Sequence, residues 1–180
     1  FLQANGYENA PITSWFGDFA WLAPYYRAIE SKDQAALAML RESFVHAALF
    51  QLRNHARSAR RMFGRDLPYI WLIHATPIAA DMLDEVITAL KGVGVRFVSL
   101  EQAMLDPVHK AMPRVSRKFR NHLQRYALMQ GVEMEEVPPE MFASILNAAP
   151  MPGVDSIEVY DTVLRKMCQR ASGTYEWDWT

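Results

Sequence analysis

The sequence predicts an α/β fold with about three parallel strands and a helical C-terminal extension, and three observations carry that expectation. Asn9–Ser14, Tyr69–Ile73 and Val95–Val98 read as short strands. Each is followed by a helical segment, the alternation that parallel pairing with right-handed crossovers requires. From Lys110 onward no strand pattern occurs, only helical spacing and loops.

The elements follow in order. Phe1–Asn5 reads as the last turn of a helix whose beginning lies elsewhere, with Gly6 in the position that ends helices. Asn9–Ser14 opens its strand near Pro11, where a missing N–H costs least. Asp18 is a candidate N-cap for a helix through Glu30, spaced by Phe19, Leu22, Tyr26 and Ile29. From Asp33 to about Phe63 apolar residues recur every three to four positions, and Gly64 ends the run. Arg53, Arg57, Arg60 and Arg61 near its end read as a solvated cationic face suited to the negative pole of the helix dipole. Tyr69–Ile73 is continuously apolar, the signature of a fully buried strand, and stops at His74. Thr76-Pro77 is an N-cap followed by proline at the first helical position, opening a helix that Gly92 and Gly94 stop. Ser99 reads as the cap of a short helix ending before Asp106-Pro107. Helices are expected within Pro113–Gly131, from Pro138-Pro139 through Leu146, and from about Ser156 to Arg170. Tyr175–Thr180 reads as a docked or frayed tail.

Composition narrows the function classes. The chain has 180 residues, 51% apolar and 22% charged, with a formal net charge of −1. Its 19 Lys and Arg against 20 Asp and Glu leave no electrostatic footprint for nucleic acid. No apolar run approaches the roughly 20 residues of a membrane span. The single cysteine, Cys168, excludes an intrachain disulfide framework and a thiolate zinc site, and it reads as a small buried residue.

In parallel α/β sheets the chemistry sits beyond the carboxyl ends of the strands. Two ionisable residues stand there, Asp18 past the first strand and His74 at the end of the most apolar one. If those strands are neighbours, Asp18 can hold one imidazole tautomer and make His74 a general acid. Alternatively each residue only caps an element. Trp15, Phe16, Phe19, Trp21 and Trp71 surround the pair in sequence and offer apolar faces for a sugar ring, or serve the core. His46, His55, His109 and His122 show no metal-ligand spacing, and Glu133, Glu135 and Glu136 read as a solvated loop.

A set of short blocks then suggests a family. Asn5-Gly6-Tyr7, Pro11-Ile12-Thr13, Gly17-Asp18-Phe19-Ala20, Ile70-Trp71-Leu72-Ile73-His74-Ala75, Gly94 to Glu101 and Asp106-Pro107 together resemble the C-terminal half of polysaccharide deacetylases, carbohydrate esterase family 4, the NodB-homology group. The likeness covers about residues 1–108, leaving 109–180 as a helical extension packed on that half. It implies the C-terminal part of a deformed (β/α) barrel. It also implies a hydrolase that removes N-acetyl groups from an amino-sugar polymer with a divalent metal, usually zinc. In that resemblance His74 is the catalytic acid, Asp18 orients and tunes it, and Leu72 lines the pocket for the acetyl methyl. Trp15, Phe19 and Trp71 are the candidate substrate contacts.

The family's Thr-Phe-Asp-Asp strand end, His-x-x-x-His ligands and Arg-x-Pro-Tyr segment have no counterpart here, and Trp15 and Phe19 replace an aspartate and a tryptophan of its pattern. The metal ligands and catalytic base are therefore expected upstream of this chain, in the missing N-terminal half of the barrel, with the 180 residues inactive alone. The resemblance favours a periplasmic or secreted setting, although the chain shows no signal peptide pattern. Two other readings remain: a non-catalytic family member that binds glycans or partners, and a helical interaction module.

Overall fold

The long amphipathic run becomes the central element. In the computed structural model, which describes residues 2–113 and 120–172, seven α-helices are seen. They are α1 (Leu22–Glu30), α2 (Gln34–Phe63), α3 (Pro77–Gly92), α4 (Leu100–Ala103), α5 (His122–Gln130), α6 (Pro139–Leu146) and α7 (Ser156–Ser172). Short 3-10 turns occupy Gln3–Asn5, Asp18–Trp21 and Pro107–His109. Local chemistry sets most boundaries. The Asp33 carboxylate accepts from Ala36 N–H at 2.9 Å to start α2, and Gly64 ends it in the left-handed region at φ 68°. Thr76 caps α3 with Pro77 behind it, Ser99 caps α4, and Asn121 with Gln124 forms a reciprocal capping box on α5. Phe1, Phe119, the side chain of Cys168 and the Tyr175–Thr180 tail lie outside the described residues.

One face of α2 buries Leu37, Leu40, Phe44, Ala47 and Ala48 against Trp21, Tyr25 and Ala28 on one side and Ile78, Val86 and Leu90 of α3 on the other. Each large side chain buried this way stabilises the fold by about 1.5–3 kcal/mol. Phe16, Trp21 and Phe44 meet edge to face, with centroids 5.0 to 5.9 Å apart. A smaller cluster of Ala59, Leu67, Val108, Leu123 and Tyr126 joins the far end of α2 to α5.

The expected α/β fold, a piece of a deformed barrel with about three parallel strands, is not what forms. The described residues are mainly helical, and among them there is no sheet, only one isolated parallel bridge between Ser14 and Trp71. The backbone groups that a ladder needs are taken by other partners. The Ile70 N–H donates to Thr13 Oγ1 at 2.8 Å, and the His74 N–H donates to Asp18 Oδ2 at 2.6 Å. The Ile12 carbonyl accepts from His122 N–H at the start of α5, and Pro11 and Pro68 carry no N–H. What survives is a three-bond contact: Thr13 and Ser14 N–H to Ile70 O, and Leu72 N–H to Ser14 O. Val95–Val98 runs along the surface, with Phe97 and Val98 about half exposed, and Trp71, Leu72 and Ile73 are only partly buried.

The helices after Lys110 pack onto the rest of the chain, α5 on α2 and α6 on α1 and the Asp18–Trp21 turn. Arg27 of α1 ties down the C-terminal end of α6 and the turn after it, donating to the carbonyls of Leu146, the last residue of α6, and of Ala148 and Ala149 just beyond it at 2.6 to 2.9 Å. No helix among the described residues is long and apolar enough to cross a membrane.

Candidate active site

A single glycine aims the first candidate residue. Gly17 sits at φ 70°, which turns the extended segment sharply into the Asp18–Trp21 turn. A Cβ there would meet the Phe142 ring of α6 at 3.2 Å, so the turn is held from both sides. Asp18 does not act as a helix cap, because no side-chain cap bond is made at this start. Its register comes from the Ser14–Trp71 bridge: pairing those residues in parallel brings the chain after Ser14 alongside the chain after Trp71.

Asp18 is 1% exposed and both its oxygens serve His74. Oδ2 accepts the His74 backbone N–H at 2.6 Å, and Oδ1 lies 2.9 Å from the ring Nδ1. A carboxylate only accepts, so the Nδ1 that faces it carries the hydrogen. The His74 side chain is 45% exposed, and among the described residues Nε2 has no hydrogen-bond partner. The imidazole is thus held at one nitrogen and open at the other. Phe19 touches it edge to face, with centroids 5.7 Å apart, and stacks its own face on Tyr160 of α7 at 5.9 Å and 15°. Burial, and secondarily the Asp18 charge, pushes the Tyr160 phenol well above the usual tyrosine range, so it stays neutral.

The remaining candidates divide by the two-residue alternation of extended backbone. Leu72, two residues before His74, lines an open cavity of about 990 Å³ together with Trp15, Leu100, Met104, His109 and Arg125, while His74, Asp18 and Phe19 are not among its lining residues. Trp71 and Ile73 face the other way, into the core, where the Trp71 ring stacks on Phe16 at 6.2 Å. Trp21 is fully buried and donates its indole N–H to Ser43. The structure therefore brings Asp18, His74 and Phe19 together, places Leu72 and Trp15 along a cavity that these three do not line, and packs Trp71 and Trp21 against the core.

Sequence reasoning missed a second histidine cluster. His55 of α2 is fully buried, with Nδ1 3.1 Å from Ser14 Oγ and Nε2 3.4 Å from both Gln51 Nε2 and Asn121 Nδ2. Two amide donors at Nε2 make it the acceptor, so Nδ1 carries the hydrogen toward Ser14. Burial pushes the His55 pKa down to about 4. The acidic loop is not simply solvated either. Glu135 pairs with Arg57, while Glu136 sends its carboxylate inward to Gln124 Nε2 at 2.6 Å and Gln51 Nε2 at 3.4 Å, and desolvation raises its pKa. Arg60 holds Asp66 through two 2.8 Å bonds, so part of the cationic face of α2 is paired.

Tyr160 and Phe142 also escaped notice, because nothing local in α6 or α7 points to a turn far upstream in sequence. His109 and His122 are occupied by the carbonyls of Pro68 and Val108. Among the described residues no three His, Cys, Asp or Glu side chains gather to hold a metal, so the residues present do not fit the divalent ion that the resemblance implies. Compared with protein-family models, curated proteins and solved structures, the chain matches none.

Proposed function

We propose that this chain supplies the acid half of a hydrolase that removes N-acetyl groups from an amino-sugar polymer, with His74 as general acid and Asp18 as its orienting partner. The observation that supports this reading is the two-point grip of a buried carboxylate on a half-exposed imidazole whose Nε2 is left open. In the charged imidazole Nε2 carries a proton. As the amide C–N bond breaks, that proton passes to the leaving nitrogen, and the neutral ring remains, still donating from Nδ1 to Asp18. The products are a free amine and a carboxylate. Leu72 and Trp15 along the cavity offer apolar surface to the acyl group and sugar. The divalent metal, like the base that activates water, is assigned to residues outside this chain, and no step of it falls to the side chains described here.

The test is deacetylation of N-acetylated chitooligosaccharides in the presence of zinc. The 180-residue chain alone is expected to be silent, and the longer protein that contains it to turn over. His74→Ala in that longer protein is expected to abolish most turnover, and unchanged turnover would sink the assignment. The mainly helical fold favours a second reading, a helical interaction module without catalysis. That reading expects no deacetylation by any form and no consequence of His74→Ala.

A further inference from the structure

The C-terminal helices reach the candidate site directly. Tyr160, Phe19 and His74 form a row: the Tyr160 ring runs nearly parallel to Phe19 and offset from it, with centroids 5.9 Å apart, and Phe19 presents itself to the imidazole at 5.7 Å and 80°. Phe19 stands in a 3-10 turn of only four residues and is itself only partly buried. The Tyr160 ring beside it occupies part of the space into which the Phe19 side chain would otherwise turn.

The position of Tyr160 is in turn tied to the turn that carries Asp18. α7 packs on α6, and Phe142 of α6 sits against Gly17 and within 6.2 Å of the Trp21 ring. Arg27 binds the end of α6 through three carbonyl contacts. The site and its backing are therefore one packed unit, although they lie far apart in sequence. The neutral phenol adds no second negative charge beside Asp18.

We propose that Tyr160 is a positioning residue: its ring backs Phe19, and Phe19 holds the His74 imidazole in the plane that keeps Nδ1 on Asp18 and Nε2 toward substrate. Its catalytic consequence rests on the general-acid reading of His74, whereas its geometric consequence does not. The readout is the low-field proton resonance of the His74 Nδ1–H in the 180-residue chain, assigned by its loss in His74→Gln. The buried Nδ1–H of His55 serves as fold control in the same spectrum.

Tyr160→Phe keeps the stacked face and is expected to keep the His74 resonance. Tyr160→Met keeps apolar volume without a flat face and is expected to lose that resonance while the His55 signal stays. On the general-acid reading, Tyr160→Met is expected to lower the kcat of deacetylation roughly tenfold with KM little changed, and Tyr160→Phe to keep it. An unchanged His74 resonance in Tyr160→Met overturns the proposal. So does its loss in Tyr160→Phe, which would make the hydroxyl and not the ring the holding group. Because the resonance does not depend on turnover, a His74→Gln protein that still deacetylates defeats the acid role and leaves the positioning role standing.

Discussion

His55 and His74 both touch the Thr13–Asp18 stretch, yet the chain uses them in opposite ways. His55 is fully enclosed, bonded at both nitrogens by neutral groups, and its proton affinity is depressed by burial. His74 is half exposed, bonded at one nitrogen by a buried carboxylate and open at the other. The first arrangement removes proton chemistry from the ring and leaves a rigid strut joining α2, the Ser14 segment and α5. The second keeps proton chemistry available at one defined atom. Exposure and partner charge, rather than residue type, separate a structural histidine from a candidate acid.

The comparison breaks most easily at His74. His74→Gln keeps a polar side chain but no titratable nitrogen, and on the proposed function the deacetylase turnover to which this chain contributes is expected to fall about 10²- to 10⁴-fold with the melting temperature nearly unchanged. A large thermal shift with modest kinetic loss would mean that His74 is the strut instead.

The next effect belongs to His55. Folded, it holds its proton only below about pH 4, whereas the unfolded chain takes one up near 6.5. Acidification from about 6.5 toward 4 therefore protonates the unfolded state first and removes stability, on the order of 3 kcal/mol in total, and nothing changes above that window. Glu136, linked through Gln51, acts with the opposite sign, since its raised pKa lets the folded chain hold a proton that the unfolded chain has released. Urea unfolding midpoints measured across this range in the wild type and in His55→Leu isolate the histidine contribution as the difference. A flat difference curve would remove His55 from the acid response.

At neutral pH His55→Leu itself is expected to cost about 1–3 kcal/mol, because Ser14 Oγ and the two amides lose their buried partner. Denaturant unfolding checks it. Gly17→Ala comes next at about 1–2 kcal/mol, from a left-handed backbone and the crowding of Phe142. It should also weaken the Asp18–His74 contact, which the His74 Nδ1 proton resonance reports. Arg27→Met, which leaves the carbonyls of Leu146 and of the turn after α6 without their donor, is expected to cost about 1 kcal/mol and to loosen α6 and α7 first, as hydrogen exchange would show.

Local punctuation was the legible part of the fold. Asp33 and Gly64 bound α2, Thr76-Pro77 opens α3, Ser99 caps α4 and Pro139 opens α6, because each cap acts within four residues of chain. The strand pattern misled. Tyr69–Ile73 has the composition of a buried strand, but a strand is defined by its neighbour, and Thr13 Oγ1 and Asp18 Oδ2 intercept the donors that a neighbour would use. At the site, His74 and Asp18 were marked by their places after apolar segments and by the family-like blocks. Leu72 was marked by the resemblance. Trp71 was not separable from them by composition, because only the alternation of the settled backbone turns it inward. His55 looked like any helix histidine, since its partners Ser14 and Asn121 come from distant segments.

The sequence alone determined the bounds of α2, α3, α4 and α6, the near-balance of charge, and which ionisable residues follow the apolar segments, all consequences of short-range bonding and composition. Only the tertiary structure decided that those segments form no sheet, that Asp18 grips His74 while His55 is sealed, and that Tyr160 from α7 stands behind Phe19. The reason is physical: a backbone donor or a ring face has many acceptable partners, and which one it meets depends on the packing of elements far apart in the chain.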